Sequence, residues 1–320
     1  MGMTGCGSRT FTDAADYCIS VPGASIGLVL TGRGGFGARV SWVEMQSLSL
    51  VGLEESLPRV AFVALPAKPI FVSFPRDGDR APLWCGVRVR RGDLVLHAPG
   101  ERFHQATDGA TRWGLISISR GDLSAYSKAL LGRELAVPRA ARLQRPPSGD
   151  MADLLRLQRP ARRMAATPPG MLARREVARA LEQDLIRALV AALGAGAAHD
   201  FSETRQRHAA IMVRFEKALA SQGHCRSAMP ALCAAIGVPE RTLRICCEEF
   251  LGRSPLDYAR MRRLNLARAA LSKADHGIAS VAKIARVHGF SEPGRFAVAY
   301  RALFGESPSA TLMRNSAESA

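Results

Sequence analysis

Two segments of the chain repeat one pattern, and this duplication constrains the fold more than any other feature of the sequence. The first copy, MPALCAAIGVPERTLRICCEEFLG, spans residues 229–252, and the second, VAKIARVHGFSEPGRFAVAYRALFG, spans residues 281–305. Apolar, small and glycine residues recur at matching positions, and both copies are followed by Ser-Pro. Such agreement indicates an internal duplication, so we expect two copies of one structural unit.

Each copy has the pattern of a helix-turn-helix unit. Its first helix carries apolar residues at positions i, i+3 and i+4, and a glycine, Gly237 or Gly289, is predicted to end that helix at positive φ. The second helix, which we call the reading helix, buries every fourth residue. In the second copy Ser291 is a suitable N-cap, and Pro293 suits the first helical turn because it lacks only a donor that would be unpaired there.

A further helix is predicted between the two copies. Ser254 is expected to cap it, with Pro255 at its first position, and the apolar pattern continues to about Ser272. A helix of about 18 residues spans about 27 Å. With its flanking turns it can hold the two reading helices about 34 Å apart, which is one turn of DNA and suits two successive major grooves.

Residues 204–314 resemble the DNA-binding domain of the AraC/XylS family, in which two helix-turn-helix units are joined by a central helix. The resemblance is carried by LCAAIGVPERTLRICCEEFLGRSPLDYARMRRLNLARAAL and by GFSEPGRFAVAYRALFGESPSATL, and it covers about a third of the chain. It implies a regulator that binds double-stranded DNA sequence-specifically, commonly as an activator that contacts RNA polymerase. It also implies an N-terminal domain for effector sensing or dimerisation.

By position in this resemblance, the reading helices span residues 239–250 and 291–304. The side chains predicted to face DNA are Glu240, Arg241, Thr242, Arg244 and Ile245 in the first helix, and Ser291, Glu292, Gly294, Arg295, Val298 and Arg301 in the second. Arg241, Arg244 and Arg295 lie in the N-terminal halves of these helices, where arginine can bind guanine O6 and N7. A phosphate contact or a solvated charge is the alternative for each.

Other arginines are predicted to contact the DNA backbone rather than the bases. Arg301 is expected to bind a phosphate or to form an ion pair. The same expectation applies to three arginines of the connecting helix, Arg260, Arg262 and Arg263.

The charge of the chain favours a polyanionic partner. The formal net charge is +16, and residues 203–320 contain 18 basic and 10 acidic residues, a net charge of +8. Glu248 and Glu249 in the first reading helix oppose this trend. We therefore expect weaker DNA contact by the first unit than by the second.

The N-terminal part of the chain has the pattern of a β domain. Residues 40–120 alternate short β-prone runs with turn residues, which predicts a small antiparallel sandwich or barrel. GDLVLHAPGERFH, residues 92–104, resembles a strand pair of cupin-type barrels. We therefore expect a cupin-like domain for a small-molecule effector over residues 21–140, and an α+β fold for the chain. Four residues either line an effector pocket or pack in the core: Trp84, His97, His104 and Trp113.

A cupin-like metal-dependent enzyme with a DNA-binding appendage is the alternative function. Cupin metal sites use several histidines and a carboxylate, but the first histidine of this chain is His97, so the earlier pair is missing. The cysteines near the first unit have no CxxC spacing, and adjacent Cys246 and Cys247 would point about 100° apart on a helix. We expect no catalytic residues, no cofactor and no metal.

The remaining segments have weaker patterns. Residues 1–20 are expected to be a tail, and residues 141–202 a linker with a helical segment. In that segment, LARREVARALEQDLIRALVAAL forms an apolar stripe that packs either on its own domain or on the same helix of a second subunit, as in a homodimer. TGRGGFG, residues 31–37, lacks the lysine of a P-loop and is predicted to be a flexible turn.

The sequence also predicts where the protein is located. It has no apolar run long enough for a membrane span, its N-terminus lacks a signal pattern, and its 7 cysteines form no paired framework. We expect a cytoplasmic, nucleoid-associated protein with reduced thiols.

Overall fold

The computed structural model describes residues 5–18, 24–77, 81–166, 175–199, 201–221, 228–275 and 279–318. Within these residues the chain has an α+β fold, with antiparallel sheets in the N-terminal part and helices in the C-terminal part. Both parts of the predicted fold class are confirmed.

The N-terminal part contains two antiparallel sheets. The strands of the larger sheet, in spatial order, are β1 (Cys6–Phe11), β3 (Ala38–Glu44), β4 (Leu48–Glu55), β11 (Thr111–Ile118), β6 (Ile70–Asp77), β9 (Leu94–Leu96), β12 (Arg142–Arg145) and β13 (Ala197–His199). Those of the smaller sheet are β2 (Ser25–Leu30), β5 (Arg59–Ala64), β10 (Arg102–Thr107), β7 (Leu83–Trp84) and β8 (Val87–Arg88). Val60 and Phe103 of the smaller sheet share an apolar cluster with Phe71 and Trp113 of the larger sheet, so the sheets pack face to face.

The expected N-terminal tail is ordered where the structure describes it. β1 pairs with β3 from Cys6 to Phe11, and α1 (Ala14–Cys18) follows it. Tyr17 is buried, and its hydroxyl donates to Glu55 Oε1 at 2.7 Å. Two aromatic side chains, Phe11 and Tyr17, therefore anchor a segment that has too few apolar residues to be predicted as an element. Residues 1–4 and 19–20 lie outside the described part.

The segment expected to be a linker belongs largely to the β domain. β12 and β13 extend the larger sheet, and three helices cover it: α2 (Arg120–Leu131), α3 (Ser148–Ala166) and α4 (Arg175–Ala195). The apolar stripe of α4, represented by Leu185, Leu189 and Leu193, is buried with Leu154 of α3 and with residues of the sheet. The stripe of α4 therefore packs on its own domain rather than on the same helix of a second subunit.

The C-terminal part is helical. Its elements are α5 (Glu203–Ser221), α6 (Met229–Ile236), α7 (Glu240–Leu251), α8 (Pro255–Lys273), α9 (Val281–Val287), α10 (Pro293–Phe304) and α11 (Pro308–Glu318). Gly237 and Gly289 end the first helices of the two units at φ 73° and 76°. Ser254 caps α8 by accepting a bond from the Asp257 amide at 3.2 Å, with Pro255 in the first turn. The reading helices are α7 and α10.

One predicted cap is wrong. α10 begins at Pro293, so the N-cap position falls on Glu292 rather than on Ser291, and no side chain caps the helix there. The carboxylate of Glu292 instead lies 2.9 Å from Arg295 Nε. The helix starts later than the serine because the proline fixes the first helical residue.

None of the helices among the described residues is both long enough and apolar enough to cross a membrane.

We predict that Leu189→Ala destabilises the protein by about 3 kcal/mol, because Leu189 is fully buried and its truncation leaves a cavity. Arg187→Ala, on the exposed side of the same helix, is the control and should change the free energy of unfolding by less than about 0.5 kcal/mol. Urea unfolding measures both variants. The packing of α4 would be contradicted if Leu189→Ala only dissociated an oligomer and left the unfolding of the subunit unchanged.

Candidate nucleic-acid interface

Each reading helix is fixed by a buried face. Leu243 and Cys247 of α7 and Phe296 and Tyr300 of α10 are at most 1 % exposed, and they occupy equivalent positions in the two copies. Because these anchors recur every fourth residue, the opposite face of each helix points into solvent. Burial raises the pKa of the neighbouring Cys246 thiol to about 11, which makes this cysteine a packing residue rather than a thiolate.

The side chains predicted to face DNA lie on the two solvent faces. In α7, Glu240, Arg241, Arg244 and Ile245 are exposed and Thr242 is half-buried. In α10 and in the two residues before it, all the side chains predicted to face DNA are exposed: Ser291, Glu292, Gly294, Arg295, Val298 and Arg301. The repeat therefore presents two similar polar faces, one on each reading helix.

One arginine on each face is held by a glutamate from the start of the same helix. Arg244 donates to Glu240 Oε1 from Nη2 at 2.6 Å and from Nε at 2.8 Å. Arg295 Nε lies 2.9 Å from Glu292 Oε2, and the Arg295 side chain is 84 % exposed. Exposed ion pairs of this kind contribute at most about 1 kcal/mol. Both guanidinium groups can therefore leave their glutamates for a nucleic acid at little cost.

The arginines of the connecting helix α8 have different environments. Arg260 is exposed, whereas Arg262 donates to the Leu219 carbonyl at 3.4 Å and lies 3.8 Å from Glu216. Arg263 donates to the Gly289 carbonyl at 2.9 Å and lies over the Phe290 ring. Arg262 thus binds α5, and Arg263 binds the turn between α9 and α10. Of the three, Arg260 has an exposed side chain.

Glu248 and Glu249, near the end of α7, have different environments. Glu248 is exposed, but Glu249 turns toward α5, where it lies 3.1 Å from Arg205 and 2.6 Å from His208 Nδ1. A Cβ placed on Gly86 of the β7–β8 turn would come within 2.8 Å of the Glu249 side chain. Glu249 is therefore part of the contact with the β domain, and the predicted weakening of DNA contact now rests on Glu248 alone.

A buried carboxylate joins the helical domain to the smaller sheet. Glu216 of α5 accepts hydrogen bonds from His104 Nε2 of β10 at 3.0 Å and from the Tyr258 hydroxyl of α8. Burial opposes the ionisation of Glu216, but the bonds from His104 and Tyr258 and the charge of Arg262 hold the pKa of this carboxyl below its ordinary value. An ionised group between the domains thus has hydrogen-bond partners on both of them.

The glycine-rich segment 31–37 also contacts the helical domain. Arg33 Nε donates to the carbonyl of Ala302 in α10 at 2.7 Å. Just before the segment, the Asn265 side chain of α8 bonds both the amide and the carbonyl of Leu30, at 2.9 and 3.1 Å. Phe36 is buried in a cluster that includes Phe304. The predicted flexible turn therefore holds the second unit against the β domain.

The four residues proposed for an effector pocket are core residues. Trp84, His97, His104 and Trp113 are each at most 3 % exposed. His97 is bonded at 2.8 Å to both Ser73 Oγ and Glu101 Oε2, and His104 is bonded to Glu216. Trp84 and Trp113 belong to a buried apolar cluster, while the His97 ring stacks on Phe103 and the His104 ring lies 4.8 Å from that of Phe62.

A cavity of about 660 Å³ lies elsewhere, between the smaller sheet and helices α5 and α8. Leu28 and Phe62 contribute apolar surface to it, and Tyr258 and Glu216 lie at its wall. Five basic residues line it: Arg102, Lys217, Arg262, Arg268 and Lys273. Against these stand the carboxylates of Asp13 and Glu216, so the lining is apolar with an excess of positive charge. Sequence patterns could not identify this cavity, because its walls come from segments that are far apart in the chain.

Among the residues described, no group of three or more histidine, cysteine, aspartate and glutamate side chains is arranged to hold a metal ion.

The C-terminal part of the chain is similar to known proteins. Residues 232–314 match the family described as "Helix-turn-helix domain". The XylDLEGF operon transcriptional activator 2 of Pseudomonas putida is 43% identical over 72 residues, which are 22% of this chain and 46% of that protein. The XylDLEGF operon transcriptional activator 1 of the same organism is 43% identical over 74 residues, 23% of this chain and 22% of that protein. The chain thus spans less than half the length of these curated relatives.

Among solved structures, the chain is similar to a probable AraC family transcriptional regulator from Rhodopseudomonas palustris CGA009. The two sequences are 33% identical, and the likeness covers 33% of this chain and 96% of that chain with a TM-score of 0.29.

We predict that Glu216→Gln lowers the free energy of unfolding at pH 7 by about 3 kcal/mol, because it removes the charge that His104, Tyr258 and Arg262 surround. A carboxyl with a lowered pKa contributes stability above the ordinary glutamate pKa of about 4.3 and loses it as the pH falls through the folded pKa. The difference between wild type and variant should therefore shrink from about pH 5 to about pH 3.

Urea unfolding across this pH range measures the effect, with the exposed Glu248→Gln as the matched control. Equal destabilisation by Glu216→Gln at pH 7 and pH 3 would show that folding does not lower the pKa of Glu216, and a larger destabilisation at pH 3 than at pH 7 would show that the folded carboxyl is neutral.

Proposed function

We propose that the C-terminal domain of this chain is a helix-turn-helix domain of the AraC/XylS type, and that the protein is a sequence-specific DNA-binding transcription regulator that acts as an activator. The DNA-binding domain spans residues 203–320, with units at 229–252 and 281–305. The protein would act in the cytoplasm, at the nucleoid, and would contact RNA polymerase from the bound promoter.

The observation that carries this proposal is the pair of equivalent exposed faces on α7 and α10. Each has an arginine near the start of its helix, Arg244 or Arg295, in a weak ion pair that DNA can replace. The 19 residues of α8 span about 28 Å, which with the adjoining turns suits reading helices one DNA turn apart. Arg241, Arg244 and Arg295 are proposed to contact bases, and Arg260 and Arg301 phosphates.

The β domain is proposed to regulate DNA binding through a small-molecule effector. The interdomain cavity, rather than the core around Trp84 and His97, is the proposed effector site. Its walls include Tyr258 and Glu216, and Glu216 accepts the hydrogen bond that His104 donates across the contact between the domains. An occupant of this cavity would therefore act on the elements that position α8. A homodimer remains compatible with this arrangement, although α4 uses its apolar stripe within the subunit.

The hydrogen bonds of His97 and His104 favour a regulator over a metal-dependent cupin enzyme. His97 is bonded to Ser73 and Glu101, and His104 to Glu216, so both imidazoles serve structural hydrogen bonds. The proposed function requires no catalytic residue, cofactor or metal.

We predict that Arg295→Ala weakens binding to a duplex selected from a random-sequence pool by roughly 1–3 kcal/mol and relaxes the base preference at one position. Arg295→Lys is the matched control, because lysine keeps the positive charge but cannot form the bidentate hydrogen bond with guanine. This variant should therefore lose base preference as well. Titration of full-length protein with selected and random duplexes measures both effects. An equal loss of affinity on both duplexes would make Arg295 a phosphate contact, and failure to select any preferred sequence would contradict the proposed function.

A further inference from the structure

Each reading helix exposes one large aliphatic side chain. In α7 it is Ile245, which is 48 % exposed, and in α10 it is Val298, which is 73 % exposed. Both helices are described in full, and the other large apolar side chains on them are buried or half-buried. Single exposed apolar residues are common on protein surfaces, so neither residue alone would indicate a function.

Their positions in the duplication make them informative. Ile245 lies two residues after the anchor Leu243, and Val298 lies two residues after the equivalent anchor Phe296. The anchors themselves differ in size and chemistry between the copies, but this exposed position is a β-branched aliphatic residue in both. Buried contacts cannot account for the similarity, because neither side chain is buried.

Both aliphatic side chains lie among the proposed DNA-contacting groups. On a helix surface, residues three and four apart are neighbours. Ile245 therefore neighbours Arg241, while Val298 lies between Arg295 and Arg301. Burying the charged neighbours in an apolar protein contact would be costly, whereas a nucleic acid satisfies them and the aliphatic group at once.

The major groove displays one apolar group that matches these side chains, the C5-methyl of thymine. We propose that Ile245 and Val298 each contact a thymine methyl, so that the bound DNA has thymine at equivalent positions in two half-sites about 10 base pairs apart. This inference rests on the proposed function. Branching at Cβ leaves valine and isoleucine with one strongly preferred χ1 rotamer in a helix, so little side-chain freedom is lost on contact.

The test replaces single thymines of the selected duplex by deoxyuridine, which removes only the C5-methyl group. With full-length wild-type protein, one replacement in each half-site should weaken binding about four-fold, the factor expected from burial of one methyl group. The effect should be larger opposite Val298, whose side chain is the more exposed of the two. The other replacements should have no effect.

Variants then assign each methyl to a side chain. Val298→Ala should lose sensitivity to deoxyuridine in one half-site and keep it in the other, and Ile245→Ala should show the reverse. Val287→Ala is the matched control, because Val287 is 58 % exposed but lies at the end of α9, outside the reading helices. It should retain both sensitivities.

Four results would overturn the inference. Specific binding that no deoxyuridine replacement weakens would exclude methyl contacts and leave the proposed function intact. Unchanged sensitivity in both alanine variants would assign the methyl contacts to other residues. Variants that keep wild-type DNA affinity but lose transcription activation would make this surface a protein contact. If no duplex is bound specifically, the proposed function fails, and the inference fails with it.

Discussion

The arrangement of the two domains depends on one buried carboxylate. Glu216 lies between the smaller sheet and helix α8, and it is accommodated there because His104 donates from the sheet and Tyr258 from the helix. A buried charge that loses a partner costs several kcal/mol, so separation of the domains would require water to replace the His104 donor. The adjoining apolar clusters add to this constraint, since Phe103 of the sheet packs in the same core as Phe215 of α5.

The contact between the two domains decides which side of each reading helix remains available for DNA. α7 directs Glu249 toward Arg205 and the Gly86 turn, and Arg33 holds the end of α10 through the Ala302 carbonyl. The opposite faces of both helices remain exposed. The β domain can therefore influence DNA binding through the position of the helices without covering the residues proposed to contact DNA, and the interdomain cavity lies where such an influence would begin.

The local features of the helical domain could be predicted from sequence, and the long-range contacts could not. Gly237, Gly289 and the Ser254 cap act within a few residues of themselves, so the repeated pattern was sufficient to place them. The pairing of His104 with Glu216 joins residues 112 positions apart, and no periodicity in either segment indicates it. For the same reason the sequence does not decide whether Trp84, His97, His104 and Trp113 line a pocket or pack in the core. It also predicts a flexible turn at residues 31–37 and a tail that includes residues 6–11, although both segments make long-range contacts.

The central claim is that this chain binds DNA through two equivalent helices held one helical turn apart. Hydroxyl-radical footprinting of full-length protein on the selected duplex tests it most directly. Two protected segments are expected on one face of the DNA, with centres about 10 base pairs apart, because α8 spaces the reading helices to successive major grooves. A single protected segment, or two segments on opposite faces of the DNA, would contradict it.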